Sequence, residues 1–304
     1  MPPLNLPLSL SSPHSQENPV SEPAVIIRDV IEMQGVADSL RRQGRRISVV
    51  PTMGFLHRGH LSLIEAAKAC SDSAITTIFV NPLQFGPSED FARYPRDLER
   101  DASLASGAGT DYLFVPDTQA MYTPDHHTFV DVERITNVLE GRSRPGHFRG
   151  VATVVAKLFN ITRPHVAVFG QKDAQQVAVV RQMLRDLNFG IELVVCPTVR
   201  ETDGLAMSSR NSYLSSEQRL QALVLYKSLV LAQNLIVRGE RNAATIIRGM
   251  KEMLATAPLA VIDYVSIADQ ETLEELSQCR GKMLISLAVR FGATRLIDNT
   301  TLIV

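Results

Sequence analysis

The sequence predicts an α/β fold: a doubly wound, Rossmann-like parallel sheet followed by a smaller α+β unit. Three observations carry this. Between Ala24 and Cys196, short β-branched runs alternate with stretches of helical periodicity, the pattern of a parallel sheet covered by helices. Polar clusters directly follow three of the strand-like runs, at the end of the sheet where such folds bind ligands. Beyond Cys196 the texture changes to a polar loop, two helical stretches and three further apolar runs.

In chain order, residues 1–23 are rich in Pro and Ser and lack both a basic cluster and a long apolar core. They read as a flexible tail rather than a secretory signal. Strands are expected at Ile47–Val50, Ile75–Val80, Tyr112–Val115, Val166–Phe169 and Ile191–Cys196, with helices at Leu61–Cys70, Val151–Ile161 and Asp173–Leu187. A boundary near Thr198 divides a nucleotide-binding unit, 24–198, from a smaller unit, 199–304, expected to act as a lid. Ser215, with Gln218 three positions later, is a capping box opening a helix to about Arg238. A helix at Ala243–Ala255, strands at Ile262–Ile267 and Met283–Arg290, and a tail at Arg295–Val304 complete the smaller unit.

Composition narrows the function classes. Of 304 residues, 45% are hydrophobic and 21% charged, as in ordinary globular proteins. Lys+Arg 31 against Asp+Glu 32 leaves a net charge of -1, so no broad basic field is available to hold a nucleic-acid backbone. No run of about 18 consecutive apolar residues suggests a membrane span. The cysteines Cys70, Cys196 and Cys279 are too scattered for a disulfide framework or a zinc ribbon, and read as small buried hydrophobes of a reducing cytoplasm.

The most informative stretch is Pro51–His60, a strand-to-helix turn containing His57-Arg58-Gly59-His60. A helix N-terminus offers unpaired N–H groups and partial positive charge, and Gly54 and Gly59 allow close backbone approach. His57 and His60 add side-chain donors on one face, so the turn reads as a site for a nucleotide polyphosphate. A purely structural pair of histidines is the bland alternative. A zinc pair is disfavoured, because His14, His126, His127, His147 and His165 form no matching cluster. The turns Asn81-Pro82-Leu83-Gln84 and Gly170-Gln171-Lys172-Asp173 also follow strands and point at the same crevice.

Met207-Ser208-Ser209-Arg210 resembles the Lys-Met-Ser-Lys-Ser loop of class I aminoacyl-tRNA synthetases, whose partner is the same His-x-Gly-His turn. Attack of a carboxylate on an α-phosphorus builds charge that needs donors from two directions. His57, His60, Lys172, Ser208, Ser209 and Arg210 would supply them. Further motifs, Phe79–Phe85, Tyr94-Pro95-Arg96, Arg144–Val151, Phe169–Asp173, Asp203–Asn211 and Arg295–Asn299, resemble, together with Pro51–His60, the pantoate–β-alanine ligase family.

That resemblance covers Ala24 to the C-terminus. It implies condensation of (R)-pantoate with β-alanine, giving pantothenate, AMP and pyrophosphate through a pantoyl adenylate, with ATP and Mg2+. By likeness, His60, His57, Lys172 and Arg210 are catalytic. Met53, Gly54, Phe55, Leu56, His57, Arg58, Gly59, His60, Gly170, Gln171, Lys172, Asp173, Val199, Met207, Ser208, Ser209 and Arg210 form the ATP site. Gln84 and Gln176 hold pantoate, since neutral amides bond its hydroxyls without neutralising its carboxylate. Val151, Val154 and Val155 offer an apolar wall for its geminal methyls, or are simply core. Asp101 matches a magnesium-associated acidic position, although a surface helix accounts equally for Asp97, Glu99 and Asp101. A cytoplasmic homodimer is implied.

Three other readings are weaker. A nucleotidyltransferase such as phosphopantetheine adenylyltransferase would lack Asn81–Phe85 and the C-terminal unit. A non-catalytic nucleotide sensor would be expected to lose His60, Lys172 or Arg210. A tRNA synthetase would need an anticodon-binding appendage or a basic surface.

Overall fold

The computed structural model describes residues 23–87 and 89–304. Apart from Pro23, the expected Pro/Ser-rich tail lies outside the described residues. Six parallel strands form the first sheet: β1 (Val25–Ile27), β2 (Ile47–Thr52), β3 (Ser73–Ile78), β4 (Tyr112–Phe114), β5 (Val166–Gly170) and β6 (Glu192–Cys196). Their order is β1-β4-β3-β2-β5-β6. From β2 the chain winds one way through β3 and β4 and then the other way through β5 and β6, so the switch point lies between β2 and β5. Ligands bind in such a crevice, at the C-terminal strand ends.

Both faces of the sheet are covered, which is why its central strands β2, β3 and β5 are buried along almost their whole length. On one face α1 (Val30–Arg42), α6 (His147–Thr162) and α7 (Ala174–Asp186) bury Met33, Leu40, Phe159 and Val180 against Val49 and Ala167. On the other, α2 (Arg58–Ala69) and α3 (Leu98–Gly107) bury Ile64, Ala67 and Ala105 against Val50 and Val168. Two single-turn helices, α4 (Thr118–Met121) and α5 (Glu140–Ser143), lie in the connection before α6. α6 is buried along almost its whole length, and Gly150 lets it lie on the Pro82–Gln84 turn: a Cβ there would be 2.3 Å from the Leu83 carbonyl oxygen. That contact brings the α6 valines to the mouth of the sheet.

The second sheet is antiparallel: β7 (Ala260–Asp269), β8 (Lys282–Phe291) and β9 (Thr294–Ile303), in that order. α9 (Val224–Val237) and α10 (Ala243–Ala255) pack Leu229, Ala232, Ile246 and Met250 onto Ile267, Leu287 and Val289. The Ser215 capping box forms as expected, but the single helix expected to about Arg238 does not. It divides into α8 (Ser216–Gln221) and α9, because Leu223 and Leu225 make i to i−3 bonds to the carbonyls of Leu220 and Ala222, turning the chain where Ala222 is buried. By length and composition alone Ser216–Val237 is apolar enough to cross a membrane; its residues Leu225, Leu229, Ala232 and Ile236 are in the second core. The sequence reading passed over β1 and α1, and of α3 it had only the surface helix weighed for Asp97, Glu99 and Asp101. Cys279 is buried, whereas Cys70 and Cys196 are half-buried, and burial pushes all three thiols up.

Candidate active site

The turn after β2 is held by a carboxylate. Gly54 and Phe55 both have positive φ, +84° and +50°, which aims successive N–H groups at one point. Asp101, from α3, sits there and accepts from the Phe55 N–H at 2.6 Å and the Leu56 N–H at 2.7 Å. A Cβ on Gly54 would press on that carboxylate at 3.0 Å. Asp101 is 1% exposed, so the expectation that it is a magnesium ligand is corrected: both oxygens are occupied by backbone donors and the side chain is sealed from the crevice. Nor does it lie on a surface helix face. It is the brace of the histidine turn.

His57 then caps α2. Its Nδ1 accepts from the Gly59 N–H at 3.2 Å, while Nδ1 of His60 accepts from the His57 N–H at 3.3 Å. Each Nδ1 acts as an acceptor, so each neutral ring carries its proton on Nε2. Burial, then the Lys172 charge, lowers His57 to about 4; burial, then His57 itself, lowers His60 to about 3. At neutral pH the pair therefore consists of two uncharged N–H donors. Gly59 is glycine because the His57 ring lies over it: a Cβ would meet Cε1 at 2.9 Å.

Two other segments converge on these rings. From β5 come Gly170, Lys172 and Asp173; from the loop after β6 come Val199, Met207, Ser208, Ser209 and Arg210; all line one cavity with Met53, His57, Gly59 and His60. His60 and Arg210 thus line the same crevice. The Met207 N–H bonds to the Val199 carbonyl at 3.0 Å, closing the loop that carries Ser208 to Arg210. Gln84, Gln176, Val151, Val154 and Val155 line the same cavity, so the valines are core and wall at once. Gln84 is itself fixed, its amide donating to the Met53 sulfur at 3.0 Å and accepting from Asn81 at 3.2 Å.

Not every residue expected in the ATP site turns its side chain to the cavity. Leu56 is in the core, Phe55 lies under the Arg100 guanidinium at 5.2 Å, Arg58 pairs with Glu65 on the surface, and Gln171 bonds to Asn299 at 3.1 Å. For these side chains the expectation is corrected: core packing takes Leu56, the Arg100 guanidinium covers Phe55, and Glu65 and Asn299 draw off Arg58 and Gln171. Gly54 acts through its backbone conformation.

Sequence reasoning also missed partners. Asp90 holds Arg210 through two hydrogen bonds, from Nε at 3.1 Å and Nη2 at 3.0 Å. Tyr94 lines the cavity. Glu89 and His147 brace Arg144 at the edge of the Gln84 turn. None of these pairings has a local sequence signal. Among the described residues, no group of three or more His, Cys, Asp or Glu is arranged to hold a metal.

A doubly wound sheet whose switch-point crevice gathers paired histidines, a lysine, an arginine and two serines defines a class, that of α/β enzymes built on a His-x-Gly-His turn. Comparison with known proteins narrows the class. The family model described as pantoate-beta-alanine ligase matches residues 25–301. The pantothenate synthetase of Acetivibrio thermocellus is 53% identical over 274 residues, 90% of this chain and 98% of that protein. That of Chloroherpeton thalassium is 55% identical over 277 residues, again 90% of this chain and 98% of the relative. Among solved structures, pantothenate synthetase from Thermus thermophilus superposes with a TM-score of 0.87 at 47% identity, covering 91% of this chain and 98% of that one. Pantoate-beta-alanine ligase from Francisella tularensis, complexed with beta-gamma ATP and beta-alanine, gives 0.74 at 34% identity, with 91% and 97% covered. The chain belongs to the pantoate–β-alanine ligase family and is an enzyme of pantothenate biosynthesis.

Proposed function

We propose that the enzyme activates pantoate with ATP as a pantoyl adenylate and then transfers the pantoyl group to β-alanine, releasing AMP. The carrying observation is that the His57–His60 turn, the Gly170–Asp173 turn and the Met207–Arg210 loop line one cavity that also contains Gln84 and Gln176. The Francisella tularensis relative, named with both beta-gamma ATP and beta-alanine, supports the co-substrates.

In this reading a pantoate carboxylate oxygen attacks the α-phosphorus and the bond to the pyrophosphate oxygen breaks. Charge grows on the equatorial oxygens and on the leaving group. Nε2–H of His57 and His60 donates from one side, while Lys172, Ser208, Ser209 and Arg210 meet it from the other, all preorganised by the scaffold. Arg210 grips oxygens in pairs and Lys172 acts as a point charge. In the second step the neutral β-alanine amine attacks the acyl carbon, AMP leaves with the bonding electrons, and the nitrogen releases its extra proton to solvent. Holding the amine beside the adenylate supplies much of that barrier, on the order of 7–11 kcal/mol for well-oriented reactants.

Magnesium arrives with the triphosphate, where one or two carboxylates and phosphate oxygens suffice to bind it. Asp173, which lines the crevice beside Lys172, is the acidic side chain that fits this role, since both oxygens of Asp90 are taken by Arg210. A cytoplasmic homodimer completes the proposal, and light scattering in solution tests the dimer.

The test is isotope exchange. With ATP, magnesium and pantoate, and before β-alanine is added, labelled pyrophosphate is expected to appear in ATP. Folded enzyme that forms pantothenate without that exchange contradicts the adenylate. Release of ADP rather than AMP on adding β-alanine contradicts it independently.

A further inference from the structure

The Arg295–Asn299 motif has no role in the chemistry above, yet its last two residues are buried and reach both donor loops. Asn299 is 4% exposed and Asp298 2% exposed, on β9 of the second sheet. The Asn299 Nδ2 donates to the Gln171 carbonyl at 3.0 Å and to the Lys172 carbonyl at 2.8 Å, while Oδ1 accepts from Gln171 Nε2 at 3.1 Å. One amide therefore saturates the turn that carries Lys172. Neighbouring strand residues point to opposite faces, and Asp298 addresses the other loop. It accepts from Arg200 Nη1 at 2.6 Å and Nη2 at 2.9 Å, and Arg200 Nη1 also donates to the Gly204 carbonyl at 3.1 Å. Arg200 lies at the base of the loop leading to Met207–Arg210.

We infer that Asn299 is a positioning residue for Lys172, with Asp298 locking the same strand to the serine–arginine loop, so that the lysine turn and that loop are both referenced to β9. The inference rests on the reading of Lys172 as a phosphate ligand. Lys172 has a long, flexible stem, and its reach is defined only if its own backbone is fixed. The turn lies between β5 and α7, and its carbonyls at 171 and 172 take their bonds from Asn299. Removing that amide takes a side-chain donor from two partly buried carbonyls and lets the turn shift. Misplacement by about 1 Å is enough to cost on the order of 10²-fold in rate. Asn299 touches no substrate in this account.

The test is a double-mutant cycle read in affinity for a non-hydrolysable ATP analogue by calorimetry, with folding checked by circular dichroism. On the wild-type background, Asn299→Ala is expected to weaken binding by about tenfold and to lower the pyrophosphate-exchange kcat by about 10–100-fold, with the pantoate KM changed less than about twofold. On a Lys172→Ala background, the same substitution is expected to cost less than about twofold, because its effect passes through the lysine. Asn299→Asp, of the same shape but without the two donors, is expected to behave like Asn299→Ala and provides the cycle if the alanine variant does not fold. An equal loss on both backgrounds, or no loss on the first, overturns the inference. Wild-type enzyme that neither binds the analogue nor exchanges pyrophosphate overturns instead the underlying reading of the site.

Discussion

The rings of His57 and His60 lie 4.1 Å apart, and each holds the N-terminus of the helix that carries it. This reciprocal cap consumes both Nδ1 atoms and makes the pair a stability element as well as a ligand site. Both imidazoles are held below the ordinary 6.5, at about 4 and about 3, so the unfolded chain protonates before the folded one. Their contribution is fully present above pH 6.5 and is lost as the pH falls toward 4 and then 3. Melting temperature against pH is expected to fall less steeply below pH 6.5 in a His57→Gln/His60→Gln double variant than in wild type. Parallel curves would show that the histidines remain protonatable in the fold.

Asp101 supplies a second check. Asp101→Asn keeps the shape but replaces a charged acceptor of two backbone N–H groups, at a cost of about 1.5–3 kcal/mol by the usual worth of charge-assisted bonds. Denaturant midpoints are expected to drop accordingly. The magnesium concentration giving half-maximal activity is expected to stay unchanged. A large rise in that concentration would restore Asp101 as a metal ligand.

Gly59→Ala separates helix propensity from site geometry. Alanine ordinarily stabilises a helix by roughly 0.5–1 kcal/mol over glycine. Here its Cβ would meet the His57 ring at 2.9 Å and displace it. The expected outcome is weaker ATP binding, by about tenfold or more, in a protein that still folds. Unchanged binding would mean that the ring orientation is immaterial.

His60→Ala is expected to slow pyrophosphate exchange about 10²–10³-fold, the usual loss for one transition-state donor. Exchange at the wild-type rate would remove His60 from the chemistry.

Gln84→Ala is expected to raise the pantoate KM well beyond any change in the ATP KM. Gln84 lines the cavity beside the α6 valines, and its orientation is set by Met53 and Asn81. Steady-state kinetics with each substrate varied in turn gives the answer, and equal effects on both would count against the role.

Much of the fold was legible because β2, β3, β5 and β6 are rich in apolar and β-branched residues and separated by helical periods. The hidden elements were those without such contrast. β1 is only three residues long, and α1 carries Gly35, a poor helix former, in its interior. The break at Ala222 was hidden for the opposite reason, since Ser215–Arg238 keeps a helical pattern straight through it. Of the cavity, His57, His60 and Lys172 were legible from the strand-end turns that carry them, and Arg210 from the resemblance of its loop. Arg58 and Gln171 were carried along by motif membership, although Glu65 and Asn299 draw off their side chains.

The sequence alone determined the local chemistry: a glycine-bearing turn with two imidazoles, a lysine turn, a serine–arginine loop, and strands apolar enough to be buried. The tertiary structure decided which groups face one another and which only support. Asp101 reaches the Leu56 N–H across 45 positions, Asp90 reaches Arg210 across 120, and Asn299 reaches Gln171 across 128. Hydrogen bonds over such separations leave no periodic trace, because they depend on where the strands of two sheets end in space rather than on neighbouring residues.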